Sequence, residues 1–539
     1  MSLIPDPIAA GLAAGWQVSD GARLSADQTL EADVVIVGSG AGGGVSAEIL
    51  ALSGLKVIIV EEGALKSSRD FKMREAEAYP SLYQESAARK TRDKSITILQ
   101  GRTVGGSTTV NWTSSFRTPD STLRYWNQHF GLSDYTPEAL APWFGMMEQR
   151  LHISDWPTPP NENNDLLRRG AAALGIPTAL IRRNVNGCWN LGYCGMGCPT
   201  NAKQSMLVTT IPSALRHGAR LLTRVRAERL VIRNDRVTEL ACVALAEDGL
   251  SPNGQRLTLR ARHFVLAGGA INTPALLLRS TAPDPHGLLG KRTFLHPTVI
   301  SAAVFAQRVD GYVGAPQTVY SDHFLHTGRI DGPIGYKLEA PPLHPLLFST
   351  TMAGFGAQHA RMMQQFPHVH ALLALLRDGF HPEAPGGSVA LAHGAPVLDY
   401  PFSAALWDGV RRALLSMAEI QFAAGARSVT PVHERAAAYG SWAQARAAIN
   451  ALPLKPLQTR VVSAHVMGGC GMADDDRLGV TSARGRYHGL TNLSVHDGSL
   501  FPTAIGANPQ LSIYGIVARL ASGLAQELGG RPAARPTAA

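Results

Sequence analysis

Two short apolar runs stand near the start of the chain, VVIV at 34–37 and VIIV at 57–60, and both are rich in β-branched residues. Short uninterrupted runs of this kind read as strands. Between them lie Gly38-Ser39-Gly40-Ala41-Gly42-Gly43 and the small-residue stretch VSAEILALSG, so the order predicted is strand, tight turn, helix, strand. A similar change of pattern recurs at 265–278, where VLAGGAINTPALLL passes from a β-like segment through glycines into a helix. Near the other terminus LSVHDG reads as a strand ending at Asp497-Gly498, and a helix is predicted to begin near Pro509.

The first of these patterns carries chemistry. Gly38 permits the turn, Gly40 lets backbone approach a pyrophosphate, and Gly43 lets the helix sit close to the strand, with phosphate meeting the positive helix N-terminus. The second strand ends at Glu61, where a carboxylate can accept hydrogen bonds from ribose hydroxyls; Glu62, the neighbouring acid, should face the other way. Strand, helix, second strand and terminal acid in register point to a dinucleotide, NAD or FAD.

Length and composition add bounds. A chain of 539 residues exceeds one ordinary core, which implies two domains or one large nucleotide-binding domain with insertions. Hydrophobic residues at 45% and charged residues at 17% are a folded, globular composition. The net charge of +9 is spread along the chain rather than gathered in a tract, so no nucleic-acid partner is expected, while contact with an anionic membrane face stays open. No apolar stretch of ~20 residues is present to span a bilayer. The N-terminal stretch has no Lys or Arg before its apolar part and is interrupted by Pro5 and Pro7. Neither that stretch nor five cysteines in so long a chain suggests export, and the expected location is the cytoplasm.

Four segments together, GRTVGGSTTVN at 101–111, VLAGGAINTPALLL at 265–278, HVMGGCGM at 465–472 and the stretch 489–528, resemble the glucose-methanol-choline (GMC) oxidoreductases, in that family's order. The likeness runs from about residue 33 to about residue 528. It implies an α/β fold, α+β overall, in which a Rossmann-like FAD-binding domain is interleaved with a substrate domain built on an antiparallel sheet with helices. The flavin motifs assign residues 1–125, 188–300 and 461–530 to the FAD-binding domain, 126–187 and 301–460 to the substrate domain, and 531–539 to a flexible tail. By the same resemblance Gly38, Gly40, Gly43 and Glu61 hold the ADP half of FAD, and Val225 offers a backbone contact to adenine. Gly105, Gly106, Ser107 and Asn111 run along the flavin, Asp497 and Gly498 meet the ribityl and pyrophosphate region, and Asn508 and Pro509 complete the cofactor set. Where members that bind FAD covalently often have a His, this chain has Val110, so noncovalent FAD is expected. The runs GSGAGGGVSAEILA, CGMGCPTNAKQS and HPLLFSTTMAGFGAQHARMM are similar to the long-chain fatty alcohol oxidase branch and its bacterial relatives.

Oxidising an alcohol takes a proton from oxygen and a hydride from carbon, so the site needs a base beside the hydroxyl and an electron sink facing the C–H bond. The resemblance places the proton-accepting His at His465, and an imidazole titrates in the right range. It places the second polar residue at Asn508, whose amide can orient the substrate oxygen but cannot be the base. His496 should turn away from Asp497 along its strand, and His296 reads as a capping or cofactor-loop residue rather than a chemical one. Cys188, Cys194 and Cys198 lack zinc spacing, and Trp189 stands where the iron-sulfur members of the superfamily have an adjacent cysteine. No metal is therefore expected, and the three thiols read as packing, with a disulfide between two of them under oxidising conditions.

The segment 341–376, rich in Leu, Met and Phe, suits an apolar channel or lid; a core helix pair explains it at least as well, and a membrane-facing helix is a third reading. The expected substrate is an apolar or long-chain alcohol, and the electron acceptor is oxygen, a quinone or a cytochrome. Sterol oxidation with isomerisation, sugar oxidation and the non-redox lyase chemistry of the same family are the alternatives. The sterol reading needs a further carboxylate above the substrate that the sequence does not locate.

Overall fold

The computed structural model describes residues 4–531, so the expected tail lies outside the described residues apart from Arg531. The apolar runs become the middle of an eight-stranded sheet. Its order is Gln17–Asp20, Arg220–Thr223, Val57–Val60, Gln28–Val37, Pro252–Leu266, Arg236–Leu245 and Val225–Arg233, with Leu493–Val495 beside the end of Pro252–Leu266. The strands from Gln17–Asp20 to Pro252–Leu266, together with Leu493–Val495, run parallel; the last two of the order are antiparallel. Helices Ala41–Leu52 and Gln510–Glu527 pack against one another over this sheet. Because the central strands are parallel, their carboxyl ends emerge at one edge, the usual ligand edge of such sheets. Gly38, Glu61, Gly268 and, just past Leu493–Val495, Asp497 all come from those ends.

The second layer is a largely antiparallel eight-stranded sheet ordered Ile96–Ile98, Val461–Ser463, Thr298–Val304, Val369–Leu376, Tyr336–Glu339, Val319–Ser321 and Ala179–Leu180, with Ser428–Pro431 alongside Thr298–Val304. Alternation divides its residues between two faces. Val299, Ala303, Leu372, Ala374 and Leu376 join the core formed with helix Ala404–Ala423, whereas Thr298, Ile300, Leu373 and Leu375 line a cavity. The Rossmann-like parallel sheet and the antiparallel sheet with helices are thus both present. Helix Asp120–Phe130, which the expected boundary at 125/126 cuts, and helix Pro137–Arg150, expected on the substrate side, both add to the core of the parallel sheet through Trp126, Leu140, Phe144 and Met147. The apolar face of Pro137–Arg150 meets helix Gln510–Glu527, and Trp126 of Asp120–Phe130 packs on Phe501 and donates to Thr503.

A small four-stranded sheet joins the two layers, with Lys291–Phe294 paired to Met467–Gly468. Two chain segments pass side by side from this sheet into the antiparallel one. Phe294 pairs with Met467 on one side of the passage and Thr298 with Val462 on the other. His296 and His465 sit between those two rungs.

Candidate active site

One cavity of about 1110 Å3 runs from the carboxyl edge of the parallel sheet to the antiparallel sheet. At its first end lie Gly38, Gly40, Glu61 and Val225; Gly106, Ser107 and Asn111 follow, then Asp497, Gly498 and Pro509. Gly43 and Gly105 are not on the wall. A Cβ on Gly43 would stand 1.9 Å from the Gly38 carbonyl oxygen, so its role is the close packing of helix on turn. The tightest approach belongs to a residue the sequence reading passed over: a Cβ on Gly42 would come within 1.6 Å of the His496 carbonyl oxygen, where the first helix crosses the end of Leu493–Val495.

The acids on this edge are held by the protein itself. Glu61 accepts from the Ser39 amide (3.1 Å), the Ser39 hydroxyl (2.6 Å) and the Gly63 amide (2.8 Å), which shapes the glycine turn; burial nevertheless pushes its pKa up. Asp497 accepts from the Gly269 amide (2.8 Å), Thr273 (2.6 Å) and the Ser499 amide and hydroxyl (2.8 and 2.5 Å), and burial likewise raises its pKa. It ties the turn at 268–269 to the C-terminal segment. The Val225 amide donates to the Glu61 carbonyl at 3.0 Å. Asn111 donates to Gln510 at 2.6 Å, and the Ser107 hydroxyl accepts from the Gly101 amide at 2.9 Å.

A nucleotide cofactor fits this edge on the structure's own terms. A Cβ on Gly40 would meet only the Gly106 Cα, at 3.8 Å, so the first helix N-terminus opens on free space between two glycine turns. The donor set there is backbone amide and hydroxyl, which suits phosphate.

At the other end His465 and Asn508 face the cavity. Nδ1 of His465 lies 3.1 Å from Nδ1 of His296, and no described residue bonds its Nε2. Burial, then the nearby Lys337, lowers the His465 pKa to about 4, so the ring is neutral at ordinary pH. His296 is fully buried against the other imidazole, a contact beyond the capping or cofactor-loop role expected for it. The sequence could not show this, because the two rings meet only through the paired passage between sheets.

Two further groups were missed. Lys337 and Glu339 alternate with Tyr336 and Leu338 on Tyr336–Glu339, opposite Leu375 and Leu373, and so point to the cavity side. A Lys-x-Glu pair on a strand ordinarily reads as solvent-facing, yet both side chains are buried, with 3.9 Å between Nζ and Oε1. Burial drives the lysine pKa down and the glutamate pKa up. Glu339 accepts from Gln317 at 2.5 Å and from Asn508 Nδ2 at 3.4 Å, which fixes the Asn508 amide.

The segment 341–376 roofs the cavity. Helix Pro345–Thr351 contributes Leu346, Leu347 and Phe348 to the wall, and its N-terminal amides at Leu346 and Leu347 are held by Glu75 at 2.7 and 2.8 Å. Helix Gly356–Gln364 buries none of its residues, so a core helix pair is not what this segment forms.

His496 bonds Ser46 at 2.8 Å and is walled off from Asp497's partners, as its place on the strand suggested. All five cysteines are free thiols, so the cluster at 188–198 holds no disulfide. That loop is fastened instead by Lys203, whose Nζ donates to the carbonyls of Thr109, Asn111 and Cys194 (2.6, 3.0 and 2.7 Å). Among the described residues no group of three or more His, Cys, Asp or Glu is arranged to hold a metal, and no helix is long and apolar enough to cross a membrane.

A parallel sheet with a glycine-lined ligand edge, an antiparallel sheet over it and a half-buried imidazole on the cavity between them fit a dinucleotide-dependent oxidoreductase. The chain belongs to the GMC oxidoreductases: the N-terminal model of that family matches residues 79–298 and the C-terminal model residues 382–516. An uncharacterised GMC-type oxidoreductase of Mycobacterium tuberculosis is 30% identical over 96% of this chain and 81% of its own length. One from Sinorhizobium fredii is 29% identical, with 93% and 96% covered. A long-chain-alcohol oxidase of Arabidopsis thaliana is 27% identical over 90% of this chain and 65% of the longer plant enzyme. Among solved structures, pyridoxine 4-oxidase from Mesorbium loti superposes with a TM-score of 0.66 at 19% identity, covering 91% of this chain and 98% of its own. A formate oxidase gives 0.65 at 16% identity, covering 93% and 100%.

Proposed function

We propose that this chain oxidises the CH–OH group of an apolar, long-chain alcohol to the aldehyde or ketone, with FAD held noncovalently along the cavity. The observation that carries this reading is one cavity lined by His465 and Asn508 together with the glycine-rich edge and the apolar side chains of Leu347, Phe348, Leu373 and Leu375. Gly40 would leave room for the ADP half, Gly498 and Pro509 line the cavity where the ribityl end would lie, and Val110, which also lines it, offers no nucleophile for a covalent link. Bound there, FAD would supply the acceptor for the hydride that leaves the carbon. His465 takes the hydroxyl proton at Nε2, the nitrogen that His296 does not engage. Its lowered pKa keeps that lone pair available. Asn508, steadied by Glu339, orients the substrate oxygen. The apolar wall excludes water and takes the hydrocarbon chain, in keeping with the likeness to a plant long-chain-alcohol oxidase. In this reading the parallel sheet, with helices Asp120–Phe130 and Pro137–Arg150, serves the cofactor and the antiparallel sheet serves the substrate.

Anaerobic mixing of the FAD-loaded protein with alcohols of increasing chain length tests this. Bleaching of the oxidised flavin spectrum, faster as the chain lengthens, is the expected result. A flavin that stays oxidised with every alcohol would sink the reading, and turnover without bleaching would mark a lyase.

A further inference from the structure

Two features of His296 call for a cause. Its backbone is held in the left-handed region at φ +50, immediately before Pro297, a conformation that a non-glycine residue adopts only when its surroundings impose it. What imposes it is a clamp on one carboxylate: Asp378 accepts from the amides of Leu295 (3.0 Å) and His296 (3.1 Å) and from the Tyr400 hydroxyl (2.6 Å). The result is an imidazole with no exposure, turned onto the ring of His465 with 3.1 Å between the two Nδ1 atoms. Ser463 adds a second tie across the same passage, donating to the Leu295 carbonyl and accepting from the His465 amide.

A hydrogen bond between two Nδ1 atoms requires one proton, carried by one ring only. If His296 carried it, the proton of neutral His465 would sit on Nε2, and the nitrogen facing the cavity would be a donor with no lone pair for the substrate. If His465 carries it, Nε2 is the bare acceptor. Resting on the reading of His465 as base, we propose that His296 is a positioning residue: it accepts the Nδ1–H of His465, fixing both the orientation and the tautomer in which Nε2 faces the substrate. The partner nitrogen of His296, Nε2, is buried without a hydrogen-bond partner among the described residues, so the ring has no competing engagement. When His465 takes the substrate proton, the bond to His296 becomes charge-assisted and stabilises the imidazolium. The charged groups facing the pair are Lys337, next to both rings, Arg377 on the His296 side, and Asp378, which reaches His296 only through its backbone amide. Arg377, and Lys337 when it is protonated, oppose protonation of the rings, so both are neutral at rest and a single proton lies between the two Nδ1 atoms. His296 does the work a carboxylate does behind other catalytic imidazoles without adding a negative charge beside the hydride path.

The test has two parts. In 15N-histidine NMR of the wild-type protein, with and without FAD, His465 is expected to show a protonated Nδ1 and an unprotonated Nε2; the opposite tautomer would overturn the proposal without any variant having to fold. In single-turnover flavin reduction, His296→Ala should be slower by about tenfold to a hundredfold, the range for losing a hydrogen bond to a charged group, with FAD content unchanged. His296→Asn, which tolerates positive φ and carries a carbonyl oxygen where histidine has Nδ1, should recover most of that rate. Equal loss in both variants, or wild-type rates and pH dependence in His296→Ala, would refute the positioning role. If His465→Ala also reduces flavin at the wild-type rate, the base assignment itself has failed; if only His296→Ala does, the failure is confined to the inference.

Discussion

Along the parallel-sheet edge the acids are saturated: Asp497 has four donors and Glu61 three, all from the protein. Across the same cavity His296 Nε2 and Asn508 Oδ1 are buried with no hydrogen-bond partner among the described residues, and Glu339 Oε1 has only Lys337 Nζ, at 3.9 Å. An unpaired buried group costs about 1–3 kcal/mol, so a protein keeps such groups where something repays them. On the proposed reading, the cofactor edge is a finished surface that would offer backbone donors to phosphate. The end that would take the substrate keeps hydrogen-bonding capacity unused.

That contrast can be broken at either end. The largest effect is expected from His465→Ala, which should keep FAD but slow single-turnover flavin reduction by about 100-fold or more, the contribution of a general base; unaltered reduction would remove His465 from the chemistry. On the finished edge, Gly42→Ala forces a methyl group onto the His496 carbonyl. It should cost about 1–3 kcal/mol in denaturant unfolding and lower the FAD content of the purified protein. A variant of normal stability and normal yellow colour would show that the edge is less rigid than its packing implies. Asn508→Ala should slow reduction by only about tenfold, since an orienting amide contributes less than the base; a loss equal to that of His465→Ala would reverse their ranking. The smallest effect is a flat pH response. As the proposed base His465 would work in its neutral form, which prevails above its pKa of about 4, so the reduction rate should hold from neutral pH downward and fall only as pH passes through about 4. A fall centred near the ordinary imidazole value would show that the bound cofactor reverses the effect of burial.

The phosphate edge was legible because its parts are local. A β-branched strand, a glycine turn and a small-residue helix all fall within residues 33–53, and each constrains the next through backbone geometry. Asp497 was legible as a position but not in its manner of working, since its four donors come from Gly269, Thr273 and Ser499. Lys337, Glu339 and the contact of His296 with His465 were not legible. They depend on which face of a strand is buried and on two passages 169 residues apart lying side by side. The segment 341–376 shows the same limit, because its apolar composition allowed a core pair or a roof, and only the position of the antiparallel sheet selected the roof.

By itself, then, the sequence determined the dinucleotide turn, because backbone conformation and short spacing act over a few residues; the two residues proposed to meet the substrate were given by the family likeness its motifs carry. Tertiary structure alone decided which polar groups are saturated and which are held unpaired, because burial and partnership arise only when distant strands bring their faces together. The tautomer assigned to His465 is of the second kind: it is set by a neighbour that chain order keeps far away and sheet pairing brings to 3.1 Å.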